Sequence, residues 1–157
     1  MGIGNELKYD DGVGPYIISK LNLLGLNEDV LLINAQTVPE NFTGKIRKEN
    51  PSHIILIDAC LMGLDYGDYK IVDKEDFVNI GISTHSMSLS YFVKFLNQDN
   101  ILFIGIEPQF LELIDQDSLG PLDVDLMDFN GELTDNVEKS ANEIIELFGE
   151  ILRGFYL

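Results

Sequence analysis

The sequence predicts an α/β sandwich of three layers, a mostly parallel sheet with helices on both faces. Two continuously apolar runs of strand length, "HIILIDAC" and "ILFIGIEP", read as strands buried on both sides. Helical patterns alternate with such runs, which is the order that builds βαβ units. The third observation is an opening glycine turn, "MGIGN", of the kind that follows a first strand; only Met1, Gly2 and Ile3 precede it. That strand is therefore expected to be short or missing.

The elements follow in order. Val13, Ile17, Leu21 and Leu24 recur at helical spacing, and Gly25 can end their helix. "DVLLINA" has strand length, and "PENFTGKIRKEN" carries Phe42 and Ile46 on one face of a weak helix. Ile54 to Ile57 is apolar and β-branched at three of four positions, and Asp58 interrupts it at its carboxyl end. "GDYKIVD" reads as a more exposed strand. "SLSYFVKFLNQ" is helical through Leu89, Phe92, Val93 and Leu96. Residues 109–133 are expected to be irregular, and Thr134 can cap a last helix whose inner face is Val137, Ala141, Ile144, Ile145, Phe148 and Leu152.

At 157 residues the chain suits one domain, 1–157, with a core of its own. Twenty-seven acidic against ten basic residues give a formal charge of −17, which opposes nucleic acid and anionic membrane as partners. Cys60 is the single cysteine, so no intramolecular disulfide can form, consistent with a reducing cytoplasm. With no apolar run near the roughly 18 residues of a membrane span, a soluble, cytoplasmic protein is expected.

The opening stretch lacks the third glycine of G-x-G-x-x-G, and the P-loop pattern is absent from the chain. Asp10 and Asp11 would also repel a pyrophosphate. A helix start that holds ionised carboxylates, with Gly12 and Gly14 allowing close backbone approach, is a cation site or a plain helix cap. Asp58, a carboxylate ending a buried strand, needs water, a partner or a metal. His85 lies in a polar run before a predicted helix. Asp11, Asp58 and His85 together make an oxygen and nitrogen set suited to a divalent transition metal. His53 precedes its strand and falls at the other end of the sheet. "DQDSLGPLDVDL" matches a calcium loop only at Asp115, Asp117 and Gly120, and is read as coincidence.

Four segments, "GIGNELKYDDGVGP", "LIDACLMGLDYGDYKIVD", "STHSMSLSYFVKFL" and "ILFIGIEPQ", resemble in order and spacing the [NiFe]-hydrogenase maturation endopeptidases, from about Gly2 to Gln109. The "MGL..G...I.D" and "THSMSLSY" wording is most similar to the branch serving formate-hydrogenlyase and energy-converting or coenzyme-F420-linked hydrogenases. The resemblance implies an endopeptidase that removes a C-terminal extension from the nickel-loaded large subunit. It places the metal-contacting and catalytic roles on Asp11, Asp58 and His85, with nickel supplied by the substrate. Water would be activated by the metal or by a carboxylate acting as general base. Cys60 stands where many relatives have small residues, and no cysteine–histidine spacing supports it as a nucleophile. The alternative is a noncatalytic nickel-dependent chaperone for the same large subunit, which a missing first strand would favour. A monomer is expected.

Overall fold

The computed structural model describes residues 1–80, 86–111 and 131–154. Among these the sheet has five strands: β1 (Gly2–Ile3), β2 (Asn34–Gln36), β3 (Ile54–Ala59), β4 (Tyr69–Asp73) and β5 (Ile101–Ile106). Their spatial order is β2-β1-β3-β5-β4, parallel throughout except for β4, which runs antiparallel to β5 at the edge. The helices are α1 (Val13–Asn22), α2 (Thr43–Glu49), α3 (Lys74–Ile80), α4 (Ser86–Leu96) and α5 (Asp135–Gly154). No helix among the described residues is long and apolar enough to cross a membrane.

The alternation of side chains along β3 and β5 divides the core in two. Leu56, Cys60 and Phe103 point to one face, where Ile46 of α2, Phe77 of α3 and Leu89, Phe92, Val93 and Leu96 of α4 cover them. Ile57, Ala59, Ile104 and Ile106 point to the other, against Val13, Ile17 and Leu21 of α1 and Val137, Ala141 and Ile144 of α5. This is the three-layer sandwich the sequence predicts. The expected inner face of α5 is buried at Val137, Ala141 and Ile144, with Ile145 and Phe148 half-buried at its margin; Leu152 is half-buried but outside this cluster.

The first strand exists. Two residues long and fully buried, it lies between β2 and β3, and the Met1 carbonyl extends the pairing by accepting the Ile57 N–H at 3.0 Å. Its brevity explains why "DVLLINA" forms less strand than expected: β2 has partners only where β1 offers them, Asn34 against Gly2 and Gln36 against Ile3, with a register shift between. A strand is only as long as the neighbour that satisfies its backbone.

Candidate active site

The connections create a crevice at a defined place. From β1 the chain passes through α1, on one face, to β2 at the edge; from β2 it passes through α2, on the opposite face, to β3 on the other side of β1. The junction of β1 and β3 is therefore the point where the winding reverses, and open α/β sheets bind ligands there, beyond the carboxyl ends of the strands. Asp11 lies in the 3-10 turn Tyr9–Gly12 that follows β1, and Asp58 is the penultimate residue of β3. Two of the three expected residues thus flank the switch point. His85 lies outside the described residues, directly before α4 in sequence. His53 is exposed ahead of β3, at the opposite end of the sheet as expected.

Glycines let the acidic turn sit this low on the sheet. Gly4 has φ +130°, and a Cβ there would come within 1.7 Å of the Asp11 carbonyl. A Cβ on Gly14 would meet the carbonyl oxygens of Ile3 and Ile57 at 2.3 and 2.5 Å, so α1 begins almost touching both β1 and β3. The turn closes on itself as well. The Asn5 N–H donates to the Asp11 carbonyl at 3.1 Å and to its Oδ2 at 2.9 Å.

The two adjacent aspartates have different surroundings. Neither caps its own helix, which corrects the capping alternative: the 3-10 turn and α1 both start without a side-chain cap. Asp10 is wholly buried and turns towards the end of the chain. Its Oδ2 accepts the N–H groups of Gln109 and Phe110 at 2.9 and 2.8 Å, and its Oδ1 accepts the N–H of Thr134 at 2.8 Å. The Thr134 hydroxyl donates to the same carboxylate at 3.0 Å. That threonine therefore serves Asp10 with its hydroxyl and starts α5 with its carbonyl, which accepts the Glu138 N–H. Tyr9, at φ 47°, packs edge-on against Phe110 with ring centroids 4.7 Å apart and reinforces the junction. Asp11, by contrast, retains 7% exposure at the switch point.

Glu107 was not singled out by the sequence, although the argument that selects Asp58 applies to it equally: both are carboxylates ending buried strands. It is buried, and its Oε2 accepts the N–H groups of Met62 and Leu64 at 2.6 and 3.2 Å. Its role is to fix the loop after β3, where Gly63 adopts φ +72°.

Cys60 is buried, and burial first, then the Asp58 and Glu107 carboxylates, push its thiol up to about 12. A thiol that stays protonated is a poor nucleophile. Iodoacetamide is therefore expected to leave the folded protein unmodified at pH 8 while labelling it fully in denaturant. Because the folded thiol ionises later than the unfolded one, this group lowers stability as pH rises through about 9 towards 12, and has no such effect below. Rapid labelling of the native state would contradict the burial.

Among the described residues, no three His, Cys, Asp or Glu side chains are placed to hold a metal ion. The profile of the hydrogenase maturation proteases matches residues 15–150. The chain belongs to the hydrogenase maturation protease family. A hydrogenase 3 maturation protease of Escherichia coli is 32% identical over 112 residues, 69% of this chain and 71% of that protein. A candidate maturation protease of Methanocaldococcus jannaschii is 35% identical over 161 residues, covering 96% and 88%. The crystal structure of the [NiFe] hydrogenase maturation protease HycI from Thermococcus kodakarensis superposes with a TM-score of 0.74 at 27% identity, over 97% of this chain and 89% of that one. As a maturation protease, the chain places Asp58 and His85 inside the matched region and Asp11 four residues ahead of it.

Proposed function

We propose that this protein is the endopeptidase that removes a C-terminal extension from the large-subunit precursor of a [NiFe]-hydrogenase, and that nickel already seated in that precursor is what it recognises. The observation that carries the reading is the position of Asp11 and Asp58 on either side of the β1/β3 switch point. Two carboxylates there, together with the imidazole that the sequence reading assigns to the same site at His85, would offer the oxygen and nitrogen donors a nickel ion takes. In this reading they complete the coordination of the substrate's metal and so align one peptide bond. A water molecule adds to its carbonyl carbon, the C–N bond breaks, and the new amine leaves with a proton. The metal or one of the carboxylates activates that water.

The branch serving formate-hydrogenlyase and energy-converting or coenzyme-F420-linked hydrogenases is favoured by the "MGL..G...I.D" and "THSMSLSY" segments. The noncatalytic alternative drew its support from a missing first strand. Since β1 is present and the turn after it is closed by two hydrogen bonds to Asp11, that support is removed.

The test is an intact-mass measurement on the precursor after incubation with the protein, with and without loaded nickel. A defined C-terminal peptide is expected to disappear only from the loaded sample. Asp58→Asn and His85→Gln are each expected to slow that loss at least about 100-fold, the usual scale for a lost acid–base or charge-stabilising group. Stable binding with no change in mass would point to the chaperone instead.

A further inference from the structure

Strand register sets three residues in one row across the sheet. Asp58 pairs with Gly105, and Gly105 pairs with Lys70 on the edge strand. Paired residues project to the same face, here the face of Leu56, Cys60 and Phe103. The row thus runs from a buried carboxylate at the sheet's centre to an exposed lysine at its rim, and the position between them has no side chain.

An apolar pocket opens beside this row. A pocket of about 100 Å³ is lined by Cys60, Met62, Val72, Phe77 and Phe103, with Lys70 at its mouth. A Cβ on Gly105 would stand 2.9 Å from the Cys60 Cβ, 3.0 Å from the Phe103 ring and 3.1 Å from the Met62 sulfur. Any side chain at 105 would therefore crowd the pocket's walls. Interiors are otherwise close-packed, and the volume is well below the roughly 300–1,000 Å³ of sites for whole small molecules. It is nearer the size of apolar cavities of about 150 Å³ that hold one benzene-sized group.

We propose that this pocket receives one apolar side chain of the substrate peptide, from a residue next to the bond that is cut. The inference rests on Asp58 belonging to the cleavage site. Neighbouring strands lie about 4.8 Å apart and an extended chain advances about 3.3 Å per residue. Cys60 in the pocket wall lies two residues beyond Asp58 on the same face of the sheet, so a side chain seated against it brings its own backbone within a residue or two of the Asp58 carboxylate. The sulfur, aromatic and aliphatic walls reject charge, while the Lys70 ammonium at the mouth can meet a peptide carbonyl. The pocket is thus a size filter for the sequence around the cut.

The experiment uses the full-length protein and nickel-loaded large-subunit precursors that carry Gly, Ala, Val, Leu or Phe at each of the two positions on either side of the cleaved bond. At one position the wild type is expected to prefer Val or Leu over Gly by at least tenfold in kcat/KM. Val72→Phe fills the pocket from a half-buried site on a strand, where aromatic residues are well accommodated. It is expected to move the optimum to Gly or Ala. Met62→Ala enlarges the pocket and is expected to move the optimum towards Phe, which keeps the test decisive should the first variant fail to fold. Identical size profiles in the wild type and the folded variants would overturn the pocket's role and leave the protease reading intact. Failure of the wild type to cut any precursor would overturn both.

Discussion

Asp10→Ala and Asp11→Asn are expected to fail in opposite ways although the residues are neighbours. Removing the Asp10 carboxylate strands four donors, the N–H groups of Gln109, Phe110 and Thr134 and the Thr134 hydroxyl, around a site with no solvent access. At about 1–3 kcal/mol for each unsatisfied buried group, with some rehydration, the loss is about 3–5 kcal/mol. A melting temperature lower by about 10 °C or more follows for a chain of this size. Asp11→Asn keeps an oxygen to accept the Asn5 N–H, so its melting temperature is expected to stay within a few degrees of the wild type. Cleavage of the nickel-loaded precursor is expected to fall at least about 100-fold. Thermal melting and intact mass, measured on both variants, decide the assignment. A stable, inactive Asp10→Ala beside an active Asp11→Asn would exchange the two roles.

The second large effect is expected from one methyl group. In Gly14→Ala the added carbon would lie 2.3 Å from the Ile3 carbonyl oxygen and 2.5 Å from that of Ile57, both backbone atoms of central strands. Neither can rotate aside, so α1 must lift off the sheet and loosen the packing of Val13, Ile17, Ile18 and Leu21. A cost above about 4 kcal/mol is expected, even though alanine is the better helix former by about 1 kcal/mol. Gly44 in α2 is the control. A Cβ there meets nothing within 4 Å, so Gly44→Ala is expected to gain about 0.5–1 kcal/mol. Urea midpoints moving the same way in both variants would refute the account of Gly14.

Much of this architecture was legible because the central strands are buried on both faces, and such strands announce themselves as unbroken apolar runs. β3 and β5 were found for that reason, as was Asp58 at the end of the former. The helices α1, α4 and α5 were equally clear, each having three or more buried residues at helical spacing. α3 was not foreseen. It has seven residues, too few for a period, and its clearest signal was local: the Asp73 carboxylate accepts the Asp76 N–H at 2.9 Å, ahead of an acidic first turn. The position of Asp11 was readable because glycines mark where backbone must approach backbone. The difference between Asp10 and Asp11 was not, since the donors that claim Asp10 lie 99 to 124 residues further along the chain. No local pattern encodes a bond across that separation. The calcium-like stretch 115–126 falls outside the described residues.

The same separation has a consequence for synthesis. The groups that hold Asp10 are made 99 to 124 residues after the acidic turn itself. At about 5–20 residues per second the turn waits roughly 5–25 s for them. Until then the Asp10 carboxylate stays hydrated, although the bonds from the Asn5 N–H to Asp11 can already close the turn. A nascent chain therefore carries the acidic turn before the segments that anchor Asp10 exist, and the site we propose is assembled when α5 docks, as a single late event rather than by degrees.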